Sequence, residues 1–130
     1  MGDYRKLKVW HKAHRLALFT YGVTERLPQA ERFGLISQMR RAAVSVPANL
    51  AEGSARLGDR DMARILGIAI GSANELHYHF RLAADLGWIS QETDQQAEKM
   101  TAEVRAMLDG LRRRLLERSS HKDRLNPPSS

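Results

Sequence analysis

The sequence predicts an all-α protein folded as an antiparallel up-down-up-down four-helix bundle, and three observations predict it. Apolar or small residues recur three and four positions apart in four separate segments, which gives each segment one buried helical stripe. Cap and turn residues fall between the segments. The joints are short, and short joints make consecutive helices antiparallel neighbours.

The first helix is expected over 8–27, with its stripe at Val9, Ala13, Leu16, Thr20, Val23 and Leu27. Pro28 closes it or opens the second helix, expected over 30–57 with Ile36, Met39, Ala43, Val46, Leu50 and Gly53 inward. Pro47 lies inside this pattern, removes the donor to the Ala43 carbonyl and presses its ring on that turn, so a kink is expected there. The alternative is two shorter helices meeting at Ser45-Val46-Pro47. Gly58 and Asp59 read as a C′ glycine and an N-cap before a third helix over 60–87, striped by Met62, Ile65, Ala69, Ala73, Leu76, Phe80 and Ala83. Gly87 and Ser90 repeat that punctuation before a fourth helix over 91–118, striped by Ala97, Met100, Val104, Met107, Leu111 and Leu115. Residues 119–130, ending in Asn126-Pro127-Pro128-Ser129-Ser130, read as a flexible tail. No internal repeat or second domain interrupts the single bundle over 1–118.

Composition narrows the function. The chain has 130 residues, is 42% hydrophobic and 28% charged, and has no cysteine. One soluble domain is expected, and thiol catalysis, disulfides and cysteine-based metal sites are excluded. The longest uncharged stretches, Ala42–Ala51 and Ile65–Asn74, are about half as long as a bilayer-spanning helix. With no apolar leader after Met1, a cytoplasmic location without membrane contact is expected.

The formal charge of +6 is unevenly spread: residues 1–41 carry nine basic and three acidic side chains, residues 42–98 four and eight, and residues 99–130 eight and four. Basic ends without a strongly apolar face point to nucleic acid more than to a membrane. The candidate contacts are Arg40 and Arg41 on the second helix, Arg112, Arg113, Arg114 and Arg118 on the fourth, and Lys8 and Lys12 on the first, in a strip with Lys6 and Arg15. Cations near a helix C-terminus also complement the backbone dipole, which is the structural alternative for Arg112–Arg118. Few aromatic side chains are present, so base-by-base stacking is not expected.

Searches for chemistry return little. None of the eight glutamates has a histidine three residues on, so a carboxylate-bridged metal pair lacks its ligand spacing. His77 and His79 are two residues apart and do not share a helix face. Gly67-Ile68-Ala69-Ile70-Gly71 lacks the lysine of a phosphate loop. The expectation is a protein that is not an enzyme and holds no metal or cofactor.

The two uncharged windows carry a different message. A helix that is apolar or small all round is buried all round, and a lone bundle covers only one of its faces. A second copy is therefore expected, with Gly67 and Gly71 admitting another backbone closely.

The runs from Tyr4 to Ala13 and from Phe33 to Gly53, with Ala69-Ile70-Gly71-Ser72-Ala73-Asn74-Glu75-Leu76, resemble the four-helix-bundle proteins encoded in intervening sequences of bacterial 23S ribosomal RNA genes. Arg40, Arg41, Ser45, Pro47, Asn49, Glu52, Gly53, Gly71, Ser72 and Glu75 fit that family's pattern, whereas His77 stands where a glutamate is expected. The resemblance implies a homopentamer with a basic surface. It also implies kinship with accessory proteins of diversity-generating retroelements, which bind a reverse transcriptase and nucleic acid. Asn49 and Glu52, three apart on one helix, are expected to cap, bridge or fix the kink rather than to do chemistry. The expected function is a non-enzymatic oligomer binding RNA, ahead of DNA, through phosphate contacts; the alternative is a scaffold docking a polymerase-type enzyme.

Overall fold

A computed structural model describes residues 2–56 and 58–126. It contains four α-helices, α1 (Lys8–Thr24), α2 (Leu35–Arg56), α3 (Asp59–Asp85) and α4 (Gln91–Leu125), with short 3-10 turns at Tyr4–Lys6 and Gln29–Glu31. The described residues include no strand. Each helix packs on its neighbours in the chain, and α1 also meets α4, so the α1/α4 edge lies opposite the α2/α3 edge.

The predicted stripes of α1 and α2 are buried throughout, and that of α3 is buried except for half-exposed Ile65. Thr20 and Thr101 can occupy core positions because their hydroxyls donate back to Leu16 O and Glu98 O, at 2.8 and 3.1 Å. The α4 stripe differs from expectation. Thr101 and Leu108 are buried, while Met100, Met107 and Leu111 are only partly covered. The buried row of α4 faces α3, and the predicted methionines lie toward the looser α1 seam.

Helix ends follow local hydrogen bonding. α1 stops at Thr24 rather than at 27, and Leu27 reaches the core from the following loop. α2 starts at Leu35 rather than at 30, because the Glu31 carboxylate accepts the Leu35 N–H at 3.1 Å. Gly34 permits that cap, since a Cβ there would lie 2.7 Å from Glu31 Oε2. α2 then runs unbroken through buried Pro47, which overturns the two-helix alternative.

Gly58 is not a left-handed C′ glycine. Its φ of −72° and ψ of 176° are extended, it is itself the N-cap of α3, and Asp59 is the first helical residue. Gly87 is as expected: at φ +80° it lets its own N–H reach Ala84 O and the Trp88 N–H reach Ala83 O, which closes α3. The Ser90 hydroxyl accepts the Thr93 N–H at 3.1 Å and opens α4. α4 continues past the expected end at 118, through residues that the sequence placed in a flexible tail. Its last turns carry ion pairs from Lys122 to Asp59 and between Asp123 and Arg60. The terminal Pro127-Pro128-Ser129-Ser130 lies outside the described residues.

α2 and α3 approach closely at Gly53, where a Cβ would meet Met62 Sδ at 2.6 Å and Ile65 Cγ2 at 3.3 Å. No described helix is long and apolar enough to cross a membrane.

Candidate nucleic-acid interface

The basic ends of the chain meet along the α1/α4 edge. Lys8, Lys12 and Arg15 lie along α1, and Lys99 and Arg114 stand on the row of α4 that faces them. One groove of about 240 Å³ is lined by Lys12, Arg15, Lys99 and Glu103, with Met100 and Val104 at its base. Lys12 Nζ lies 2.8 Å from Glu103 Oε1, and this bond, helped by the charges of Lys99 and Arg15, holds the Glu103 carboxyl below the usual carboxylate range. A second groove of about 350 Å³ continues toward the chain's N-terminus, where Lys6, Lys8 and Arg114 surround Leu7, Met107 and Leu111. No acidic side chain lines this second groove.

Three of the other predicted cations tie helices together at the surface. Arg40 Nε donates to Thr24 Oγ1 at 2.9 Å and its guanidinium lies 4.5 Å from the Tyr21 ring centre, which ties α2 to the end of α1. Arg112 Nε donates to the Ala63 carbonyl at 3.2 Å and crosses α3 over Gly67. Within its own chain, Gly67 leaves room for this arginine side chain. Arg118 donates through Nε and Nη2 to the two oxygens of Asp59, at 2.7 and 2.8 Å. That fork holds the Asp59 carboxyl at about 2 and raises the Arg118 guanidinium. These three arginines join helices. Arg113 is exposed on α4 beside Asp109 and Glu117, and Arg41 is exposed on α2, with Nη2 3.5 Å from Ser37 Oγ.

The structure thus brings together Lys8, Lys12 and Arg114 from the predicted contacts and adds Lys99 to the strip of Lys6 and Arg15. Sequence reasoning missed Lys99. The spacing of Lys99, Glu103, Met107, Gly110 and Arg114 marks one helical row, which becomes informative once its partner helix is known.

The motif residues cluster on the α2/α3 side. Ser45 Oγ and Ser72 Oγ are 2.9 Å apart across the two helices, and Asn49 Nδ2 donates to Ser45 O at 2.7 Å and to Ser45 Oγ at 3.0 Å. Asn49 therefore bridges within the turn that contains Pro47. Glu52 is exposed beside buried Gly53, and Gly71 is exposed with open space where a Cβ would stand. Glu75 Oε2 lies 3.6 Å from Nε2 of His79. His79 is buried and its Nδ1 has no hydrogen-bond partner among the described residues. Burial pushes its pKa below the ordinary value, and the Glu75 charge opposes that shift. The half-buried His77 takes no part in this pair.

His11 and His14 pack on Trp10, with His14 stacked 5.0 Å from its ring, and the His11 Nε2 lies 2.7 Å from Arg5 O. Among the described residues no group of three or more histidine, aspartate and glutamate side chains is arranged to hold a metal ion.

These features define a basic, all-α four-helix protein whose polar clusters join helices and whose α1/α4 edge gathers cations from both ends of the chain. The chain belongs to the 23S rRNA-intervening sequence protein family, which it matches over residues 5–110. A crystal structure from Bacteroides thetaiotaomicron, of a protein with unknown function from the S23 ribosomal protein family, has the same fold, with a TM-score of 0.74. It is 23% identical, and the match covers 81% of this chain and 95% of that one. No curated protein matches the chain.

Proposed function

We propose that this protein is a non-enzymatic, homo-oligomeric, antiparallel four-helix bundle that binds RNA or another nucleic acid through phosphate contacts along its α1/α4 edge. The observation that carries the reading is the convergence of Lys6, Lys8, Lys12, Arg15, Lys99 and Arg114 from two helices distant in sequence, with Glu103 as the acid among them. Such a cluster concentrates positive potential where a phosphate chain can follow it. The antiparallel arrangement is supported by contacts that run in opposite order along the helix pairs, Ser45 to Ser72 and Gly53 to Met62, or Asp59 to Arg118 and Asn74 to Arg105. A bend of α2 at Pro47 is part of the proposal, and the Asn49 bond to the Ser45 carbonyl supports it.

Assembly is the second component. Val44 and Ile68, in the uncharged windows, remain 41% and 46% exposed, and Ala48 and Gly71 are exposed with them. This apolar and small surface lies away from the α1/α4 edge, so covering it with another copy leaves the cations outward. The family resemblance sets the expected number at five. Sedimentation equilibrium at micromolar concentration is expected to give a mass near about five protomers. Gly71→Leu, at a position where a Cβ has open space within its own chain, is expected to weaken assembly without loss of helix content. A stable monomer contradicts the assembly reading. For the nucleic-acid reading, fluorescence anisotropy of a labelled single-stranded RNA at low salt is expected to show binding, and its absence for both RNA and DNA removes that reading.

One observation favours a second reading, a scaffold that docks a partner enzyme such as a reverse transcriptase. The aliphatic floor of the Lys6, Lys8 and Arg114 groove is of no use to a phosphate chain.

A further inference from the structure

We infer that the groove between the start of α1 and residues 106–114 of α4 is a docking site for an acidic amphipathic helix of a partner protein. This deepens the scaffold reading and holds whether or not RNA follows the rest of the edge. The floor is aliphatic and non-aromatic: Leu7, Met107 and Leu111 are only partly covered by their own chain, and buried Val9 lies beneath them. Around that floor stand Lys6, Lys8 and Arg114; no acidic side chain lines the groove, and the Asp3 carboxylate acts on Lys6 from outside it. Neither half of this description selects the ligand alone. A phosphate backbone satisfies the cations and leaves the floor wet, whereas a neutral apolar helix fills the floor and strands the cations near hydrocarbon. A helix with leucine-type side chains on one face and glutamates along both flanks satisfies the two together.

The dimensions agree. The groove holds about 350 Å³, room for two or three aliphatic side chains, and residues 106–114 of α4 rise about 12 Å, a little over two helical turns. The side chain of Met107 is unbranched and adapts its shape to an inserted residue. Arg114 lies back along its own helix, with Nη1 at 3.4 Å from where a Gly110 Cβ would be, so the missing Cβ leaves its guanidinium free to slide toward an incoming carboxylate.

The test uses the intact protein and a fluorescein-labelled peptide of about 14 residues with leucines at i, i+3, i+7 and i+10 and glutamates on the flanking positions. Anisotropy is expected to show saturable binding, and a scrambled peptide of the same composition is expected to bind at least about tenfold more weakly. Lys8→Glu is expected to weaken the ordered peptide by about tenfold, whereas Arg64→Glu, the same charge change on exposed α3, leaves it within about twofold. Met107→Glu puts an acid in the floor and is expected to abolish binding, with circular dichroism checking the fold; Lys8→Glu keeps the claim testable should Met107→Glu unfold. Equal binding of the scrambled peptide, or equal loss with Arg64→Glu, shows an unspecific charge effect and overturns the inference. Dissociation of the oligomer by Met107→Glu shows that a second copy fills the groove and overturns it too. Displacement of the peptide by RNA in the wild type, with Met107→Glu binding the peptide unchanged, assigns the groove to nucleic acid instead. Loss of RNA binding alone leaves the inference standing and removes only the nucleic-acid reading.

Discussion

At the residue scale, two titrating side chains give the fold separate acid windows. His79 is buried neutral, with its pKa below the ordinary 6.5, so the unfolded chain binds the proton more readily. Its contribution is complete above about pH 6.5 and is lost as the pH falls toward the folded value. His79→Leu, which also removes the unpartnered Nδ1, is expected to flatten the loss of stability that begins below about pH 6.5, as read by urea denaturation; a wild-type slope in the variant contradicts the assignment. Asp59 is held at about 2 by Arg118, with Lys122 adding to the shift, so its contribution is full above the ordinary 3.8 and disappears as the pH falls through about 2. Asp59→Asn is expected to remove the stability loss in that acid range and leave the neutral slope unchanged. Neither role was legible in the sequence. His79 looks like any residue of a polar trio with His77 and Tyr78 until α3's facing is known. Arg118 and Asp59 are far apart in the chain and meet only when α3 and α4 pack.

At the element scale, the stripes of α1, α2 and α3 were legible because one face of each is buried along nearly its whole length, and a simple period reports that face. α4 was harder to read. Its two inward rows are both apolar, one packed on α3 and one facing the open α1 seam, and the period alone does not rank them. Helix ends were legible where a serine or a left-handed glycine made them, at Ser90 and Gly87. They were hidden where a side chain four residues away did the capping, as Glu31 does for α2. Ser90→Ala is therefore expected to cost about 1 kcal/mol and lower the melting temperature by a few degrees, about 3 °C for a chain of this size. An unchanged melting temperature would show that the first turn of α4 is held by packing of Trp88 and Ile89 instead. The continuation of α4 to Leu125 was read as a tail because its apolar rhythm stops; ion pairs to Asp59 and Arg60 accompany its last turns instead of a core.

At the scale of the whole molecule, the division of surface organises the account: the uncharged faces of α2 and α3 lie on one side and the cations of α1 and α4 on the other. The sequence showed both halves as windows and charge counts, but not that they oppose each other, nor that Arg40, Arg112 and Arg118 serve as ties between helices. Assembly would multiply what remains, since five chains of +6 carry roughly +30 on one particle. The central claim is that this outward edge, and not the helix-joining arginines, contacts phosphate. The most direct measurement is the salt dependence of RNA affinity for the wild type and for a Lys8→Gln, Lys99→Gln and Arg114→Gln variant, with Arg41→Gln as the rival surface. The wild type is expected to lose affinity steeply, with a log–log slope of roughly −0.7 to −0.9 per phosphate neutralised. The triple variant is expected to flatten that slope by about two to three phosphates per protomer engaged, while Arg41→Gln leaves it unchanged. A triple variant with the wild-type slope, folded and assembled as before, would contradict the account.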